Sequence, residues 1–151
     1  MEKKRILVVD DDEVVRKNFR TILESEGYMV DVAATGKVAV QQSNFAFYNL
    51  ALVDIRLPDM EGTQLLTQLR GTVPKMRKII ITGYPSQANA IEALNKDADG
   101  YLIKPIVNTD DLIQEIKKHL KEQDDERSYS EEKVTEYVES RIREEELKTG
   151  Q

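Results

Sequence analysis

Residues 6–15 read ILVVDDDEVV, in which four apolar residues are followed directly by three aspartates. The run at 6–9 is apolar on both faces, which is typical of a strand in a parallel sheet that helices cover on both sides. Asp10, Asp11 and Asp12 repel one another, and each loses hydration where it is partly buried. A strand that ends in three carboxylates therefore indicates a site where another group balances their charge.

The pattern of an apolar strand followed by a helix repeats along the first 120 residues. Spacings of four and eight residues, as from Val15 to Phe19 and Leu23, predict amphipathic helices between the strands. The predicted strands lie at 5–10, 29–33, 50–54, 78–82 and 100–103. This alternation predicts an α/β fold, a doubly wound five-stranded parallel sheet with helices on both faces.

Length and composition fit a soluble protein with one domain of ordinary size, since the chain has 151 residues, 40% hydrophobic and 33% charged. No apolar run approaches the ~20 residues of a membrane span, and the run after the basic residues 3–5 is too short for a signal peptide. We therefore expect a cytoplasmic protein without a membrane partner. The chain has no cysteine, which excludes disulfides and thiolate metal sites.

The net charge of −6 is concentrated near the C-terminus. Residues 1–120 carry 17 acidic and 16 basic side chains, whereas residues 121–151 carry 11 acidic and 6 basic ones. Neither part has the basic patch of a nucleic-acid-binding surface, so we expect no nucleic-acid partner. The shift in charge predicts a domain at 1–122, followed by a charged linker and a C-terminal helix at 123–151.

The C-terminal segment predicts one further helix, over about 131–147. Val134, Val138 and Ile142 are four residues apart and form a narrow apolar stripe, with Tyr137 beside it. The stripe is too short to predict a strong coiled coil. Two interpretations stay open, a solvated terminal helix and an interaction helix. In the second, a homodimer could form through this helix or through the last helix of the domain.

Chemically active side chains stand at the ends of four predicted strands. The first strand leads to Asp10 and Asp11, the third to Asp54, the fourth to Thr82 and the fifth to Lys104. Ligands of doubly wound sheets bind beyond the carboxyl ends of the strands, so we expect these residues to meet. Carboxylates suit Mg²⁺, a lysine and a hydroxyl suit phosphoryl oxygens, and an aspartate is able to form an aspartyl phosphate.

Each of these residues taken alone also has an ordinary structural explanation. An aspartate after a strand is commonly a helix N-cap, which is the favoured role for Asp12. Thr82 alone fits a turn, and Lys104 before Pro105 fits a solvated lysine at the end of a strand. Their joint placement at four strand ends favours the functional interpretation.

Four segments carry a closer resemblance: ILVVDDDE, LALVDIRLPDMEG, IIITGYP and GYLIKPI. They resemble the signature segments of response-regulator receiver domains of two-component signalling, over residues 4–120. The resemblance implies a flavodoxin-like strand order of 2-1-3-4-5, in a chain that looks stand-alone with a helical extension. It also implies a phosphorelay protein rather than an enzyme, which receives its phosphoryl group from a sensor histidine kinase or a phosphotransfer protein and acts on an unknown downstream protein.

The resemblance implies a role for each residue that matches the family's motifs. Asp54 matches the phosphoacceptor, and Thr82 and Lys104 match the groups that hold the phosphoryl oxygens. The implied cofactor is Mg²⁺ (or Mn²⁺). Its implied ligands are Asp10, Asp11, Asp54 and the backbone carbonyl of Arg56.

Further positions match the family's switch and rate-tuning sites. Tyr101 matches an aromatic switch that turns inward when Thr82 moves toward the phosphoryl group. Arg56 and Tyr84 match the two positions that tune the access of water to that group. Both side chains are large, so we expect them to slow autodephosphorylation.

A phosphatase with a similar first motif is the alternative. An apolar strand followed by Asp10-x-Asp12 also resembles the haloacid-dehalogenase-type phosphatases, with Asp10 as the nucleophile and Asp12 as the acid/base. That family needs further acidic metal ligands after its lysine, and it gives no role to the segment VDIRLPDMEG. The identity of the nucleophile, Asp54 or Asp10, therefore distinguishes the two interpretations.

Overall fold

Five parallel strands and five helices alternate along residues 3–149, the part of the chain that a computed structural model describes. The elements are β1 (Arg5–Val9), α1 (Glu13–Ser25), β2 (Met29–Ala33), α2 (Gly36–Phe45), β3 (Leu50–Asp54), α3 (Gly62–Gln68), β4 (Arg77–Thr82), α4 (Gln87–Asn95), β5 (Gly100–Ile103) and α5 (Thr109–Thr149). The strands form one sheet in the order β2-β1-β3-β4-β5, which confirms the doubly wound α/β fold and its strand order.

The central strands are buried on both faces because helices cover both sides of the sheet. One core joins the strands to α2, α3 and α4, and includes Leu7, Ala51, Val53, Ile80, Ala39, Leu65, Leu66 and Ala93. The other joins them to α1 and α5, and includes Ile6, Val8, Leu50, Leu52, Phe19, Leu23, Leu112 and Ile116. A fully buried Leu, Ile or Phe side chain contributes roughly 1.5–3 kcal/mol. The continuous apolar runs of the sequence therefore supply both cores.

Polar side chains fix the starts of three helices. Asp12 Oδ1 accepts hydrogen bonds from the N–H groups of Val14 at 2.8 Å and Val15 at 3.4 Å, so Asp12 is the N-cap of α1, as predicted. Thr35 and Ser86 accept equivalent bonds at the starts of α2 and α4. These bonds satisfy N–H groups that have no partner within the helix.

Gly62 allows the loop after β3 to fold back against that strand. A Cβ atom at this position would lie 2.1 Å from the main-chain oxygen of Asp54 and 2.9 Å from the Cα atom of Ile55. The N–H group of Gly62 donates to the carbonyl of Ile55 at 2.7 Å. A larger residue would displace the backbone beside Asp54, so the position requires glycine.

The C-terminal part differs from the expected charged linker and separate helix. α5 runs without interruption from Thr109 to Thr149, so residues 121–130 are helical and the expected helix at 131–147 is their continuation. Residues 121–130 contain neither Gly nor Pro, the residues that most strongly end a helix. Within residues 3–149, no helix, α5 included, has both the length and the apolar character needed to cross a membrane. The division of the chain at residue 122 stays a prediction.

Buried polar contacts hold the middle of α5 against the sheet. The buried side chain of Gln123 donates from Nε2 to the carbonyls of Asn49 at 2.9 Å and Lys75 at 2.7 Å. Asn49 donates from Nδ2 to Gln123 Oε1 at 3.2 Å, and its Oδ1 accepts from the N–H group of Arg5 at 2.9 Å. These residues lie where β1, β3 and β4 begin, so α5 is fastened at the edge of the sheet opposite the carboxyl ends of the strands.

We expect Gly62→Ala to lower the free energy of unfolding by about 1–3 kcal/mol, because an added methyl group in a packed site forces the backbone to shift. Chemical denaturation measures this change. Gly71→Ala is the matched control, since a Cβ atom at Gly71 would meet no atom within 4 Å. Equal stability of the two variants would contradict the close approach of Gly62 to Asp54.

Candidate functional site

The carboxyl ends of the strands bring the expected site residues to one edge of the sheet. Asp10 follows β1, Asp54 ends β3, Thr82 ends β4 and Lys104 follows β5. In the sheet, β1 is next to β3, and β4 lies between β3 and β5. The side chains of Asp10 and Lys104 therefore meet at this edge although they are 94 positions apart in sequence. This edge is where doubly wound sheets bind their ligands.

Three carboxylates form the centre of the site. Asp10, Asp11 and Asp54 each offer one oxygen, and these oxygens lie within 4.8 Å of one another. Asp10 and Asp54 are buried, with exposed fractions of 1% and 8%, whereas Asp11 is exposed. Hard divalent cations prefer carboxylate oxygens, so this donor set fits Mg²⁺ or Mn²⁺ on a side that solvent reaches.

The ammonium group of Lys104 lies between the two buried carboxylates. Its Nζ atom donates to Asp10 Oδ2 at 2.5 Å and to Asp54 Oδ2 at 3.3 Å. Burial opposes the charged form of Lys104, but the hydrogen bond and charge of Asp10 and the charge of Asp54 outweigh it and raise the pKa of Lys104. Lys104 is therefore a fixed positive charge at the centre of the site.

The charge of Asp54 is less well compensated than that of Asp10. Its Oδ2 atom lies farther from Lys104, and its Oδ1 atom accepts a long hydrogen bond of 3.4 Å from the N–H group of Arg56. Burial, and then the nearby charge of Asp10, raise the pKa of Asp54, although Lys104 opposes this. Three carboxylates facing one ammonium group leave excess negative charge, which a divalent cation would neutralise.

Thr82 and Tyr101 occupy the side of the site formed by β4 and β5. Thr82 is fully buried, and its Oγ1 atom accepts from the N–H group of Tyr84 at 2.9 Å. Tyr101 packs against the core beneath α2, α3 and α4, and its hydroxyl is buried without a hydrogen-bond partner among the described residues. An unsatisfied buried group costs about 1–3 kcal/mol, so this position of Tyr101 is held at a cost in free energy.

The side chains of Arg56 and Tyr84 stack on each other at the rim of the site. The guanidinium carbon of Arg56 lies 4.2 Å from the centroid of the Tyr84 ring, which is a cation–π contact. Arg56 lies two residues beyond Asp54 and Tyr84 two residues beyond Thr82, so the pair joins the loops that follow β3 and β4. The sequence predicts both positions but not their contact.

The sequence does not predict a role for two further residues at this edge, Arg16 and Asp59. Arg16 Nη1 donates to the main-chain oxygen of Asp10 at 2.8 Å and ties α1 to the end of β1. Asp59 accepts from the N–H groups of Gly36 and Lys37, both at 2.9 Å, and these backbone hydrogen bonds lower the pKa of Asp59. The only signal for Asp59 is its place in the turn segment LPDMEG, since its partners are more than 20 positions away.

Asp12 does not join the carboxylate cluster. The cluster is formed by Asp10, Asp11 and Asp54, while Asp12 Oδ1 binds the first N–H groups of α1. The phosphatase alternative needs Asp12 as an acid/base. None of the contacts that Asp12 makes within residues 3–149 favours that role.

Two curated proteins align with about two thirds of the chain. Over 101 residues, 67% of this chain, it is 36% identical to the alginate biosynthesis transcriptional regulatory protein AlgB of Pseudomonas aeruginosa and 37% identical to the transcriptional regulatory protein ZraR of Escherichia coli K12. The chain covers only 22% of AlgB and 23% of ZraR, so it spans less than a quarter of the length of either relative.

A solved structure covers more of the chain. It is the CheY-like response regulator receiver domain protein from Methanospirillum hungatei JF-1, with 48% identity and a TM-score of 0.78 over 83% of this chain and 99% of that one. The sequence profile of the response regulator receiver domain matches residues 6–117, which contain every site residue from Asp10 to Lys104. The chain therefore belongs to the response regulator receiver domain family.

Proposed function

We propose that Asp54 accepts a phosphoryl group from a phosphohistidine of a sensor histidine kinase or a phosphotransfer protein, in a Mg²⁺-dependent reaction. The observation that carries this proposal is the position of Lys104 between the carboxylates of Asp10 and Asp54, beside a carboxylate cluster that is exposed at Asp11. A nucleophile, a fixed cation and a set of metal ligands are the parts that phosphoryl transfer to a carboxylate needs.

In this reaction a carboxylate oxygen of Asp54 attacks the phosphorus atom. An O–P bond forms, the N–P bond of the phosphohistidine breaks, and the imidazole of the partner leaves with the bonding electron pair. Asp54 must be ionised to attack, and the charge of Lys104 favours that form against the effect of burial. Once Asp54 carries the phosphoryl group, the ammonium group of Lys104 binds a phosphoryl oxygen.

The proposed metal ligands are Asp10, Asp11, Asp54 and the backbone carbonyl of Arg56. A bound divalent cation would supply positive charge that offsets the carboxylates and the oxygens of the incoming phosphoryl group. Asp10 is well positioned for this role, because its Oδ1 atom accepts from the N–H group of Asp12 at 2.9 Å and Arg16 holds its main chain.

Thr82 and Tyr101 form the proposed switch. The Thr82 hydroxyl accepts from Tyr84, and its own hydrogen is available to donate to a phosphoryl oxygen on Asp54. Movement of Thr82 toward that oxygen alters the space beside Tyr101, whose hydroxyl lacks a partner. Phosphorylation then shifts the population of two conformations of this surface, which a downstream protein recognises.

Recognition of nucleic acid is not part of this proposal. AlgB and ZraR are transcriptional regulatory proteins, but this chain spans less than a quarter of either. The balanced charges of residues 1–120 favour a protein partner over DNA for the receiver. The lack of a nucleic-acid partner stays a prediction for this chain.

We expect incubation with acetyl phosphate and Mg²⁺ to add one phosphoryl group at Asp54, detected by intact mass and phosphosite mapping. Asp54→Asn should abolish the adduct, because an amide is a poor nucleophile, and chelation of the metal should slow labelling. Asp12→Asn is the matched control, since it alters an adjacent aspartate outside the cluster and keeps a capping side chain. An adduct on Asp10, or turnover of phosphate esters, would instead support the phosphatase alternative.

We expect Tyr84→Ala and Arg56→Ala each to shorten the lifetime of the aspartyl phosphate. Water must displace this pair to reach the phosphoryl group, and an exposed cation–π pair contributes roughly 0.5–1 kcal/mol, so its loss should speed hydrolysis by about two- to fivefold. Decay of the phosphorylated protein by intact mass measures the lifetime. Tyr129→Ala is the control, because Tyr129 stacks on Lys133 far along α5. An unchanged lifetime in Tyr84→Ala would refute the role of the pair.

We expect Tyr101→Phe to raise the free energy of unfolding by about 1 kcal/mol, because it removes a buried hydroxyl that has no partner. Tyr48→Phe should have the opposite effect, since the Tyr48 hydroxyl donates to Asp31 Oδ2 at 2.6 Å. Chemical denaturation of both variants compares them directly. If both substitutions destabilise the protein equally, the Tyr101 hydroxyl has a partner in solution.

A further inference from the structure

Residues 55–62, between β3 and α3, form a short antiparallel hairpin. At its base, the N–H group of Gly62 donates to the carbonyl of Ile55 at 2.7 Å. At its tip, the N–H group of Leu57 donates to the carbonyl of Met60 at 3.2 Å and closes a turn of two residues. We refer to this segment as the β3–α3 hairpin. Because it follows β3 directly, its conformation determines which main-chain groups stand beside the carboxylate cluster.

The hairpin leaves the carbonyl of Arg56 available on the side of Asp54. Arg56 faces Glu61 as an isolated antiparallel bridge, and the two hydrogen bonds of the hairpin flank this pair. In a pair flanked in this way, the main-chain polar groups point away from the opposite arm. The N–H group of Arg56 accordingly donates to Asp54 Oδ1 at 3.4 Å. The N–H and C=O groups of an extended residue point to the same side, so the carbonyl is placed as the proposed metal ligation requires.

The turn of the hairpin is held to the start of α2 by hydrogen bonds. Asp59 Oδ1 accepts from the N–H group of Gly36 and Asp59 Oδ2 from that of Lys37, both at 2.9 Å. N–H groups in the first turn of a helix have no partner within the helix. The N-cap residue Thr35 accepts only from the N–H group of Val38, at 3.1 Å. Asp59 therefore completes the capping of α2 from a distant loop.

An apolar contact makes the same junction tight. A Cβ atom at Gly36 would lie 2.5 Å from the Sδ atom of Met60, and 2.6 and 2.7 Å from its Cγ and Cε atoms. Met60 also packs against the core beneath α2, α3 and α4. The hairpin is thus bound at its base through Gly62 and at its turn through Asp59 and Met60. We refer to the contacts of Asp59 and Met60 with Gly36 and Lys37 as the α2 anchor.

We propose that Asp59 is a positioning residue for the divalent cation, because it holds the β3–α3 hairpin to α2 and thereby fixes the place of the Arg56 carbonyl. This inference rests on the proposed function, since it requires a cation at the carboxylate cluster. Asp59 is not itself a ligand. Both of its carboxylate oxygens bind the start of α2, so it acts only through the main chain of the hairpin.

The α2 anchor acts by ordering the hairpin before the cation arrives. Mg²⁺ requires nearly ideal octahedral geometry, so a carbonyl ligand must stand in a fixed place. A loop that becomes ordered only when the metal binds loses conformational entropy at that moment, which weakens affinity. Loss of a residue that orients a metal ligand typically weakens metal binding by roughly 10–100-fold. Asp59 acts on its ligand through several bonds of the main chain, so we expect a loss of about tenfold.

Binding of Mn²⁺ alone to the full chain, measured by electron paramagnetic resonance, tests the proposal. We expect Asp59→Ala to weaken binding about tenfold. Thr35→Ala is the matched control, because it removes a capping bond at the start of the same helix that does not involve the hairpin. It should leave the Mn²⁺ affinity unchanged. An unaffected Asp59→Ala variant, or equal losses in the two variants, would overturn the proposal.

Asp59→Asn separates the hydrogen bonds from the charge. Asn and Ala at this position remove the same negative charge, but Asn keeps one carbonyl oxygen that accepts from Gly36. We expect the Asn variant to bind Mn²⁺ at least about threefold more tightly than the Ala variant. Equal affinities of these two variants would show an effect of charge alone and contradict the anchor.

Amide hydrogen exchange without metal gives a second readout of the α2 anchor. We expect Asp59→Ala to speed exchange at Gly36 and Lys37, which lose their acceptor, and at Leu57, whose bond closes the turn of the hairpin. NMR spectroscopy measures each amide separately. Exchange at Leu57 that stays as slow as in the unchanged protein would show that the hairpin is ordered without Asp59, which is incompatible with the proposal.

The rate of phosphorylation distinguishes this inference from the proposed function. Asp59→Ala should slow labelling of Asp54 by acetyl phosphate at low Mg²⁺, and saturating Mg²⁺ should restore the rate. Slow labelling that saturating Mg²⁺ does not restore would indicate damage to Asp54 and exclude a role through the metal. If the unchanged protein neither binds Mn²⁺ nor becomes labelled at Asp54, the proposed function fails together with this inference. Normal binding and labelling in both proteins would reject this inference alone.

Discussion

The balance between the buried carboxylates and the single ammonium group of Lys104 determines the properties of the site. Burying Asp54 beside Asp10 is unfavourable, because desolvation and the nearby charge of Asp10 both oppose the charged form of Asp54. Lys104 compensates Asp10 at 2.5 Å and Asp54 less fully at 3.3 Å. The negative charge that remains opposes folding of this edge, and the same charge favours binding of a divalent cation. Stability and ligand affinity thus have one physical origin.

This edge could be predicted from the sequence because strand ends are visible as local patterns. A strand buried on both faces leaves a continuous apolar run, and the residue after that run must lie at the carboxyl edge of the sheet. Asp10 and Lys104 are 94 positions apart, yet both follow such runs. The fold, the strand order and the convergence of these residues are confirmed. Their individual roles in the reaction stay predictions.

Features that depend on contacts between distant segments could not be predicted in the same way. A charged run such as 121–130 is compatible with a solvated linker and with an exposed helix. The contacts that favour the helix lie elsewhere in the chain. Gln123 binds the backbone before β3 and β4, and Arg77 pairs with Glu122 at 3.6 Å and Glu126 at 2.6 Å. No local pattern in the sequence reveals these partners, and the same holds for the stack of Arg56 on Tyr84.

The continuity of α5 also relates the two ends of the molecule. α5 begins five residues after Lys104, the residue that contacts the proposed phosphoacceptor Asp54. At the opposite edge of the sheet, where the strands begin, Gln123 binds α5 to the main chain of Asn49. A flexible linker at 121–130 would separate residues 131–149 from any movement of the domain. Because α5 is uninterrupted, a tilt of its first part instead displaces residues 131–149 as well.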